Sequence, residues 1–511
     1  MEKKALMIQG TGSHVGKSIM VAAFCRILKQ DGYNVAPFKS QNMALNSFIT
    51  KDGKEMGRAQ VVQAESAGLA PDVDMNPILI KPNTDIGAQI IIHGKVYKNM
   101  SASRYHGFKK DAIAFVKESF ERLKERYEFI IIEGAGSPAE INLRENDIAN
   151  MGMAELADCP VVLVGDIDRG GVFASLVGTM ELLEQTERER IKGFIINKFR
   201  GDVSLLQPGI DLLEQRTRIP VLGVIPFFTD IYIQEEDAVA VDRLQSVKRT
   251  GKIDVAVIYL PHISNFTDFD PLESDAYVNL KYVRYGERIG DVDVIIIPGS
   301  KNTIDDLRYL HDRGYVEDIH RHFKRGKTVV GICGGYQMLG EYVDDPDHIE
   351  SSLSRINGIG LLSVRTKIEK EKTTSQIRAR IHPSNGLFEQ SGEIKGYEIH
   401  MGRTFSEKER SLFEIFERGK SPVSICDGAL SEDGRVWGTY IHGIFDNDPF
   451  RLEFIRTVGK SKGMIIGSQD ETAGHIPFRY KENKEAHYDK LAALLRENMD
   501  MDAFYRIAGL R

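Results

Sequence analysis

The sequence lacks most features that mark secreted, membrane-bound or nucleic-acid-binding proteins. Its 511 residues include four cysteines, widely spaced and without a CxxC pair, so neither a disulfide framework nor a zinc site is indicated. No apolar run reaches the roughly 18 residues that a membrane span needs. The formal net charge of −7 leaves no general excess of positive charge for a nucleic-acid surface. We therefore expect a soluble cytoplasmic protein without nucleic-acid or membrane partners.

What is present is an ordinary globular composition, with 42% hydrophobic and 28% charged residues. Short apolar runs rich in Ile and Val alternate with amphipathic stretches. This rhythm predicts doubly wound α/β domains, with parallel sheets covered by helices and ligands at the carboxyl ends of the strands. A charged stretch interrupts the rhythm near the middle of the chain. We predict a first domain over 1–233, a linker over 234–251, a second domain over 252–450 and a helical C-terminal extension over 451–511.

The first predicted strand runs directly into a glycine-rich loop, QGTGSHVGKS, at residues 9–18. Backbone N–H groups of such a loop converge on phosphate oxygens, and the N-terminus of the following helix adds positive potential. Lys17 can reach the terminal phosphates, and Ser18 can bind Mg²⁺. A strict Walker A motif has glycine where this chain has Thr11, so the loop is a variant. The residues predicted to bind the nucleotide are Gly12, His14, Val15, Gly16, Lys17, Ser18 and, after a later strand, Asn197.

Two carboxylates at predicted strand ends are candidate Mg²⁺ ligands beside Ser18. Glu133 ends one strand and begins the run EGAG, and Asp166 ends another. Parallel strands bring their carboxyl ends to one edge of the sheet, and carboxylate oxygens suit Mg²⁺. For each residue, a helix-capping or turn role is the alternative.

A second chemical centre is predicted at Cys333, within the run TVVGICGGYQMLG over 328–340. A side chain between small neighbours at a strand-to-helix turn is forced outward, and the helix N-terminus favours the thiolate. The N–H of Gly334 is then positioned to hold an oxyanion. A cysteine nucleophile needs a base, and His442 at the end of a short predicted strand is the candidate. A buried structural role is the alternative for both side chains.

These motifs resemble two known families. The loop is similar to the GTxxxVGK[ST] loop of dethiobiotin synthetase and its relatives, in which ATP phosphorylates a carboxylate. Gly331–Gly335 with a distant histidine resembles the triad-type (class I) glutamine amidotransferases, in which the cysteine releases ammonia from glutamine. This second resemblance implies further oxyanion contacts at Gly299 and Ser300, and a place in the glutamine pocket or a structural role for His400. The glutamate usual two residues after the histidine is replaced by Ile444, so the third member of the triad is unassigned.

Both halves in one chain resemble the cobalamin-pathway amidotransferase family. The runs KSQNMALNS over 39–47 and GAGSPAEINL over 134–143 favour the branch of this family that completes side-chain amidation. The resemblance implies ATP and Mg²⁺ as cofactors. It implies L-glutamine and a corrinoid polycarboxylate, adenosylcobyrinic acid a,c-diamide, as substrates, with amidation at the b, d, e and g carboxylates. Cationic and amide side chains near predicted strand ends are candidates for binding the corrinoid: Lys39, Asn42, Asn46, Arg58 and Arg169.

Two alternatives stay open at this point. One is the a,c-diamide synthase of the same family, or another glutamine-dependent amidase. The other is a MinD-like switch ATPase with an inactive glutaminase-like domain, although this loop has Gly12 where such switches carry a signature lysine. A homo-oligomer is also left open.

Overall fold

The computed structural model describes residues 4–82, 87–234, 251–383, 385–389, 392–406, 408–464, 466 and 478–510. Most of the predicted linker, residues 235–250, lies outside the described residues. The chain divides into two compact units that are not contiguous in sequence. The first unit comprises Met1–Ala44, Met56–Gln234 and Lys484–Arg511, and the second comprises Leu45–Glu55 and Glu235–Asn483.

Strands and helices are numbered in chain order. The strands are β1 Lys4–Gly10, β2 Val35–Phe38, β3 Gln41–Met43, β4 Ser47–Ile49, β5 Glu55–Gly57, β6 Ile78–Pro82, β7 Gly87–Ile92, β8 Lys95–Ser101, β9 Phe129–Glu133, β10 Val161–Asp166, β11 Ile191–Phe199, β12 Val221–Pro226, β13 Ile253–Ile258, β14 Ile263–Ser264, β15 Val278–Val283, β16 Val294–Ile297, β17 Gly299–Ser300, β18 Thr328–Ile332, β19 Tyr342–Asp344, β20 Arg355–Asn357, β21 Val364–Ile381, β22 Glu393–Ser406, β23 Phe413–Arg418, β24 Ser421–Asp427, β25 Ala429–Leu430 and β26 Val436–Thr439. The helices are α1 Lys17–Gln30, α2 Arg58–Ser66, α3 Ala102–Arg126, α4 Met151–Leu156, α5 Val172–Leu182, α6 Gln185–Arg188, α7 Val203–Thr217, α8 Asp270–Glu273, α9 Thr303–Asp312, α10 Tyr315–Lys324, α11 Gly334–Leu339, α12 Asp448–Ser461, α13 Tyr480–Asn498 and α14 Met501–Ile507.

The first unit is built on a six-stranded parallel sheet with the order β12-β11-β10-β1-β9-β2. Its strands are apolar on both faces, and side chains such as Leu6, Ile131 and Val162 are completely buried. The predicted doubly wound sheet is confirmed. Because β1 lies between β9 and β10, the glycine-rich loop after β1 is flanked by the ends of both strands.

Helix α14 and α13 from Lys484 onward belong to the first unit, whereas α12 belongs to the second. The ring of Phe504 on α14 stacks on Phe24 of α1 with ring centroids 4.4 Å apart. Arg26, also on α1, pairs with Glu485 and Asp489 of α13. The segment predicted as one extension over 451–511 is thus divided between the two units, and its last two helices cover the helix that follows the glycine-rich loop.

The second unit contains a six-stranded sheet with the order β15-β13-β16-β18-β26-β25, parallel except for the last pair. A second sheet, with β22 paired to β21, has no counterpart among the predicted strands. Its long strand β21 reads VRTKIEKEKTTSQIRARI, in which buried and charged residues alternate, because one face is covered and the other is exposed. Within the described part of the chain, no helix combines the length and apolar character that crossing a membrane requires.

Candidate active site

Cys333 lies at the turn between β18 and α11 with φ 51° and ψ −108°, a left-handed conformation that is strained for a residue with a side chain. Its glycine neighbours allow close backbone contacts. A Cβ on Gly335 would lie 1.9 Å from the carbonyl oxygen of Ile297, and one on Gly334 would lie 2.9 Å from the backbone nitrogen of Ser300. The surrounding backbone therefore holds Cys333 in place, as the sequence predicts for a strand-to-helix turn of this kind.

His442 follows β26, the strand next to β18 in the sheet, and its Nδ1 lies 2.6 Å from Oδ2 of Asp268. The other carboxylate oxygen of Asp268 accepts a hydrogen bond of 3.0 Å from the backbone nitrogen of Gly443. The side chains of His442 and Asp268 are only 1% and 3% exposed. Asp268 is therefore the candidate for the third member of the triad, which the sequence left unassigned at Ile444. Sequence reasoning missed it because it lies 174 residues before His442 and belongs to no motif.

The electrostatics of this cluster favour a charged imidazole. Burial lowers the pKa of His442, but the charges of Asp268 and Cys333 raise it more, and the net effect raises the pKa of His442 to about 10. At neutral pH the ring is therefore an imidazolium that can balance a thiolate and later donate a proton.

The predicted oxyanion residues meet at the same place. The short strand β17, Gly299–Ser300, pairs with β14, and a Cβ on Gly299 would lie 3.4 Å from Cε1 of His442. The hydroxyl of Ser300 donates to Asp306 at 2.6 Å, and the contact of its backbone nitrogen with an oxyanion stays a prediction. Gly334 adds a second backbone nitrogen beside Cys333, as expected for a hole built from main-chain donors.

His400 lies on β22, next to Ile399, whose carbonyl oxygen is 3.5 Å from Sγ of Cys333. Its ring stacks on Tyr440 with centroids 3.9 Å apart, and its Nδ1 lies 2.8 Å from the carbonyl oxygen of Gly402. These contacts fit the structural alternative for His400, and its contact with glutamine stays a prediction.

The glycine-rich loop and Lys17 are held by hydrogen bonds with the loop after β9 and with β11. Nζ of Lys17 donates to the carbonyl oxygens of Gly12 and Gly136 at 2.7 and 3.0 Å. Asn197 donates from Nδ2 to the carbonyl oxygen of Val15 at 2.8 Å, and a Cβ on Gly16 (φ 105°) would lie 2.2 Å from that nitrogen. Asn197 therefore supports the loop backbone, and its predicted contact with the base stays a prediction. The remaining predicted nucleotide residue, His14, is exposed at the tip of the loop.

Glu133 is buried at the end of β9 and joins Ser18 to Lys39. Its Oε1 accepts from Oγ of Ser18 at 2.7 Å and from Nζ of Lys39 at 2.8 Å, and its Oε2 accepts from Gln63 at 2.5 Å. Burial raises the pKa of Glu133, but the Lys39 charge and the hydrogen bonds lower it more, so the net pKa is below its usual range and the carboxylate is ionised.

A hydroxyl and an ionised carboxylate are the oxygen donors that Mg²⁺ takes from proteins when phosphates and water supply the other ligands. The described residues contain no group of three or more His, Cys, Asp or Glu that could hold a metal ion by itself. Ser18 and Glu133 therefore fit a Mg²⁺ ion whose remaining ligands come from phosphates and water. The other predicted ligand, Asp166, accepts at Oδ2 from Lys198 at 2.6 Å and makes no described contact with Ser18.

Two of the five residues predicted to bind the corrinoid, Lys39 and Asn42, lie beside Glu133, since Gln60 donates to Oε2 of Glu133 at 3.3 Å and accepts from Asn42. Lys39 is engaged by Glu133, Asn42 donates to Gln60 at 2.8 Å, and Arg58 is 7% exposed. Arg169 is exposed in the loop after β10. Asn46 is completely buried in the second unit, where its Oδ1 accepts from the backbone nitrogen of Phe266 at 3.2 Å. These contacts give Asn46 a structural role, and its contact with the corrinoid stays a prediction.

A substitution separates the two candidate metal ligands. Glu133→Gln is expected to reduce the ATP-dependent amidation that the family resemblance implies roughly 100-fold or more, because the charged ligand is lost. Asp166→Asn, the matched change, is expected to reduce it much less. The measurement is ADP formation with saturating ammonia, with glutamine hydrolysis and thermal unfolding as controls for folding. Equal losses in the two variants, or no loss in Glu133→Gln, would contradict the assignment.

Together, the loop and the cysteine centre define a class of protein, a glutamine amidotransferase with a P-loop nucleotide-binding domain in the same chain. Residues 6–239 match the CobQ/CobB/MinD/ParA nucleotide binding domain, and residues 254–450 match the CobB/CobQ-like glutamine amidotransferase domain. Curated cobyric acid synthases match nearly the whole chain. That of Caldanaerobacter subterraneus subsp. tengcongensis is 54% identical with 98% of both chains covered, that of Thermoanaerobacter sp. strain X514 is 54% identical with 98% covered, and that of Clostridium botulinum strain ATCC 19397 is 50% identical with 99% covered.

The chain belongs to the cobyric acid synthase family and is an ATP-dependent glutamine amidotransferase. The resemblance to cobalamin-pathway amidotransferases stated from the motifs is confirmed. Relatives of this similarity and coverage favour neither the switch ATPase nor the a,c-diamide synthase.

Proposed function

We propose that the chain converts adenosylcobyrinic acid a,c-diamide to the acid amidated at b, d, e and g, with ATP activating each carboxylate and glutamine supplying each nitrogen. One observation carries the proposal: a Cys333–His442–Asp268 cluster and a phosphate loop with an ionised Glu133 occur in one chain. The names of the relatives support the choice of substrate.

Glutamine hydrolysis follows from the cysteine cluster. The thiolate of Cys333 attacks the side-chain amide carbon of glutamine, and the backbone nitrogens of Ser300 and Gly334 hold the oxygen as it becomes negative. The His442 imidazolium gives its proton to the departing nitrogen, and ammonia leaves. Water then attacks the thioester, with His442 now acting as the base, and glutamate is released. Asp268 keeps the ring oriented and stabilises its charge throughout.

The nucleotide half makes the acid reactive. A carboxylate is a poor electrophile, and transfer of the terminal phosphoryl group of ATP to it creates a leaving group. Lys17 neutralises charge on the transferred group, and Mg²⁺ held by Ser18 and Glu133 would supply further neutralisation when bound. Ammonia then attacks the acyl phosphate, the C–O bond to phosphate breaks, and an amide and inorganic phosphate form. The exposed cation Arg169 is a candidate for holding the polyanionic substrate.

Product mass tests this proposal. The purified chain is incubated with ATP, Mg²⁺, glutamine and the a,c-diamide, and the corrinoid is followed by mass spectrometry. We expect four successive amidations, each with one glutamine and one ATP consumed. An a,c-diamide that stays unchanged, while cobyrinic acid supplied in its place is amidated at only two positions, would favour the a,c-diamide synthase. Nucleotide hydrolysis without glutamine turnover would favour the switch ATPase.

A further inference from the structure

A short segment that precedes most of the first unit in sequence belongs to the second unit. Leu45–Glu55 includes β4 and is attached to the long strand β21. Gln376 donates from Nε2 to the carbonyl oxygen of Ile49, and Lys372 forms an ion pair of 2.6 Å with Glu55. The run KSQNMALNS, which supported the family resemblance, therefore ends within the glutaminase unit.

The beginning of this segment holds the turn that carries Asp268. Oδ1 of Asn46 accepts from the backbone nitrogen of Phe266 at 3.2 Å, and the backbone nitrogen of Ser47 donates to Oδ1 of Asn265 at 3.1 Å. Asn265 has a left-handed conformation with φ 53°, and its carbonyl oxygen accepts from the backbone nitrogen of Asp268 at 3.0 Å. The two contacts from Asn46 and Ser47 thus restrain the residues from which the Asp268 turn starts.

The same segment also holds the residue that packs on His442. The hydroxyl of Tyr397 donates to the carbonyl oxygen of Ser47 at 3.3 Å and accepts from Nδ2 of Asn265 at 3.2 Å. The ring of Tyr397 lies against the ring of His442, with centroids 5.2 Å apart and planes 17° from parallel. The backbones of these two residues exchange hydrogen bonds of 3.2 and 2.9 Å. Both partners of the Asp268–His442 hydrogen bond therefore have a contact that leads back to Asn46–Ser47.

We propose that Asn46 and the hydroxyl of Tyr397 are positioning residues of the glutaminase, which keep Asp268 within hydrogen-bond distance of His442. Neither touches glutamine or the reacting atoms in this role. Asn46, Asn265 and Tyr397 are 0%, 2% and 3% exposed. Their hydrogen-bond network is therefore closed to solvent, and bulk water does not replace a hydrogen bond that is removed from it. Small displacements in a catalytic constellation lower the rate of the chemical step more than they lower binding. This inference rests on the proposed glutamine hydrolysis at Cys333.

The test compares Asn46→Ala, Tyr397→Phe and a matched control, Thr50→Ala. Asn46→Ala removes the acceptor for Phe266, and Tyr397→Phe removes only the hydroxyl while keeping the ring on His442. Thr50 lies in the same segment, but its hydroxyl bonds to Asp52 and Lys54 within the turn. We expect glutaminase kcat to fall roughly 10-fold or more in the first two variants and KM for glutamine to stay within about two-fold. Thr50→Ala is expected to match the unaltered chain.

A second readout distinguishes positioning from a general effect on folding. Because Asp268 raises the pKa of His442, a weakened contact moves the basic limb of the kcat/KM profile for glutamine to lower pH in Asn46→Ala and Tyr397→Phe. In Tyr397→Phe, amidation with ammonia in place of glutamine stays at the unaltered rate. Full kcat in both variants, or a fall in kcat without movement of the basic limb, overturns the positioning role, as does an equal fall in Thr50→Ala. Absence of glutamine hydrolysis in the unaltered chain would instead overturn the proposed function.

Discussion

Replacement of Cys333 by serine is expected to abolish glutamine-dependent amidation, with a loss of roughly 10⁴-fold or more, while ammonia-dependent amidation continues. Serine preserves the size of the side chain on the strained turn, so the fold of the second unit should survive. A serine hydroxyl does not form the anion that a thiol forms beside an imidazolium, and the attack on the amide carbon is therefore lost. Supplying ammonia removes the need for that step. The measurement is the rate of corrinoid amidation with glutamine and, separately, with an ammonium salt at a pH where part of it is free ammonia.

Cys426→Ser is the matched control for this experiment. Cys426 lies on β24 in the same unit and is the one exposed thiol of the four, whereas Cys333 is buried. The control should keep both activities. If Cys333→Ser lost the ammonia-dependent reaction as well, Cys333 would have a role beyond the release of ammonia. The assignment of ammonia release and carboxylate activation to two separate sites would then be wrong.

The central sheets of both units could be predicted because burial on both faces leaves a simple pattern in the sequence. Runs such as Phe129–Glu133 and Thr328–Ile332 are apolar at nearly every position, which a strand between two layers of helices requires. Strand β21 could not be recognised in the same way, since its exposed face carries charged residues at alternate positions. The assignment of Leu45–Glu55 to the second unit leaves no local signal, because it depends on tertiary contacts with residues more than 200 positions away.

The candidate site divides along a similar line. Cys333 and Lys17 are recognisable from the sequence because they have glycine neighbours. Those glycines are needed where the backbone packs too closely against other residues to leave room for a Cβ. Asp268 has no such neighbours, and an aspartate in NFTDFD is locally indistinguishable from a helix cap. A family-specific run predicts a substrate contact for Asn46, but its buried hydrogen bond with the backbone of Phe266 could be found only from the fold. Sequence motifs thus identify the reacting groups, whereas the groups that orient them can be identified only from the folded structure.

Replacement of Asp268 by asparagine is expected to reduce glutaminase kcat roughly 10³-fold, because a neutral amide of the same shape cannot stabilise the imidazolium that His442 forms. The hydrogen bond of 2.6 Å between Nδ1 and Oδ2 would lose its charge, and the amide could present its nitrogen to the ring. The ammonia-dependent reaction should be unaffected. Asp275→Asn is the matched control, since Asp275 is another buried carboxylate of the second unit, paired with Arg451 and absent from the cysteine cluster.

The pH profile of glutamine hydrolysis is expected to shift in a definite direction in Asp268→Asn. In the unaltered chain the imidazolium persists until the pH approaches the raised pKa of about 10, so glutaminase activity should be lost only as the pH rises toward that value. Without the charge of Asp268, burial is left to lower the pKa of His442 against the charge of Cys333 alone, and the imidazolium is lost at lower pH. The basic limb of the kcat/KM profile for glutamine should therefore move to lower pH in Asp268→Asn and stay in place in Asp275→Asn. A basic limb that does not move would mean that another group sets the charge of His442, and Asp268 would then be a structural anchor for the Gly443 backbone rather than the third member of the triad.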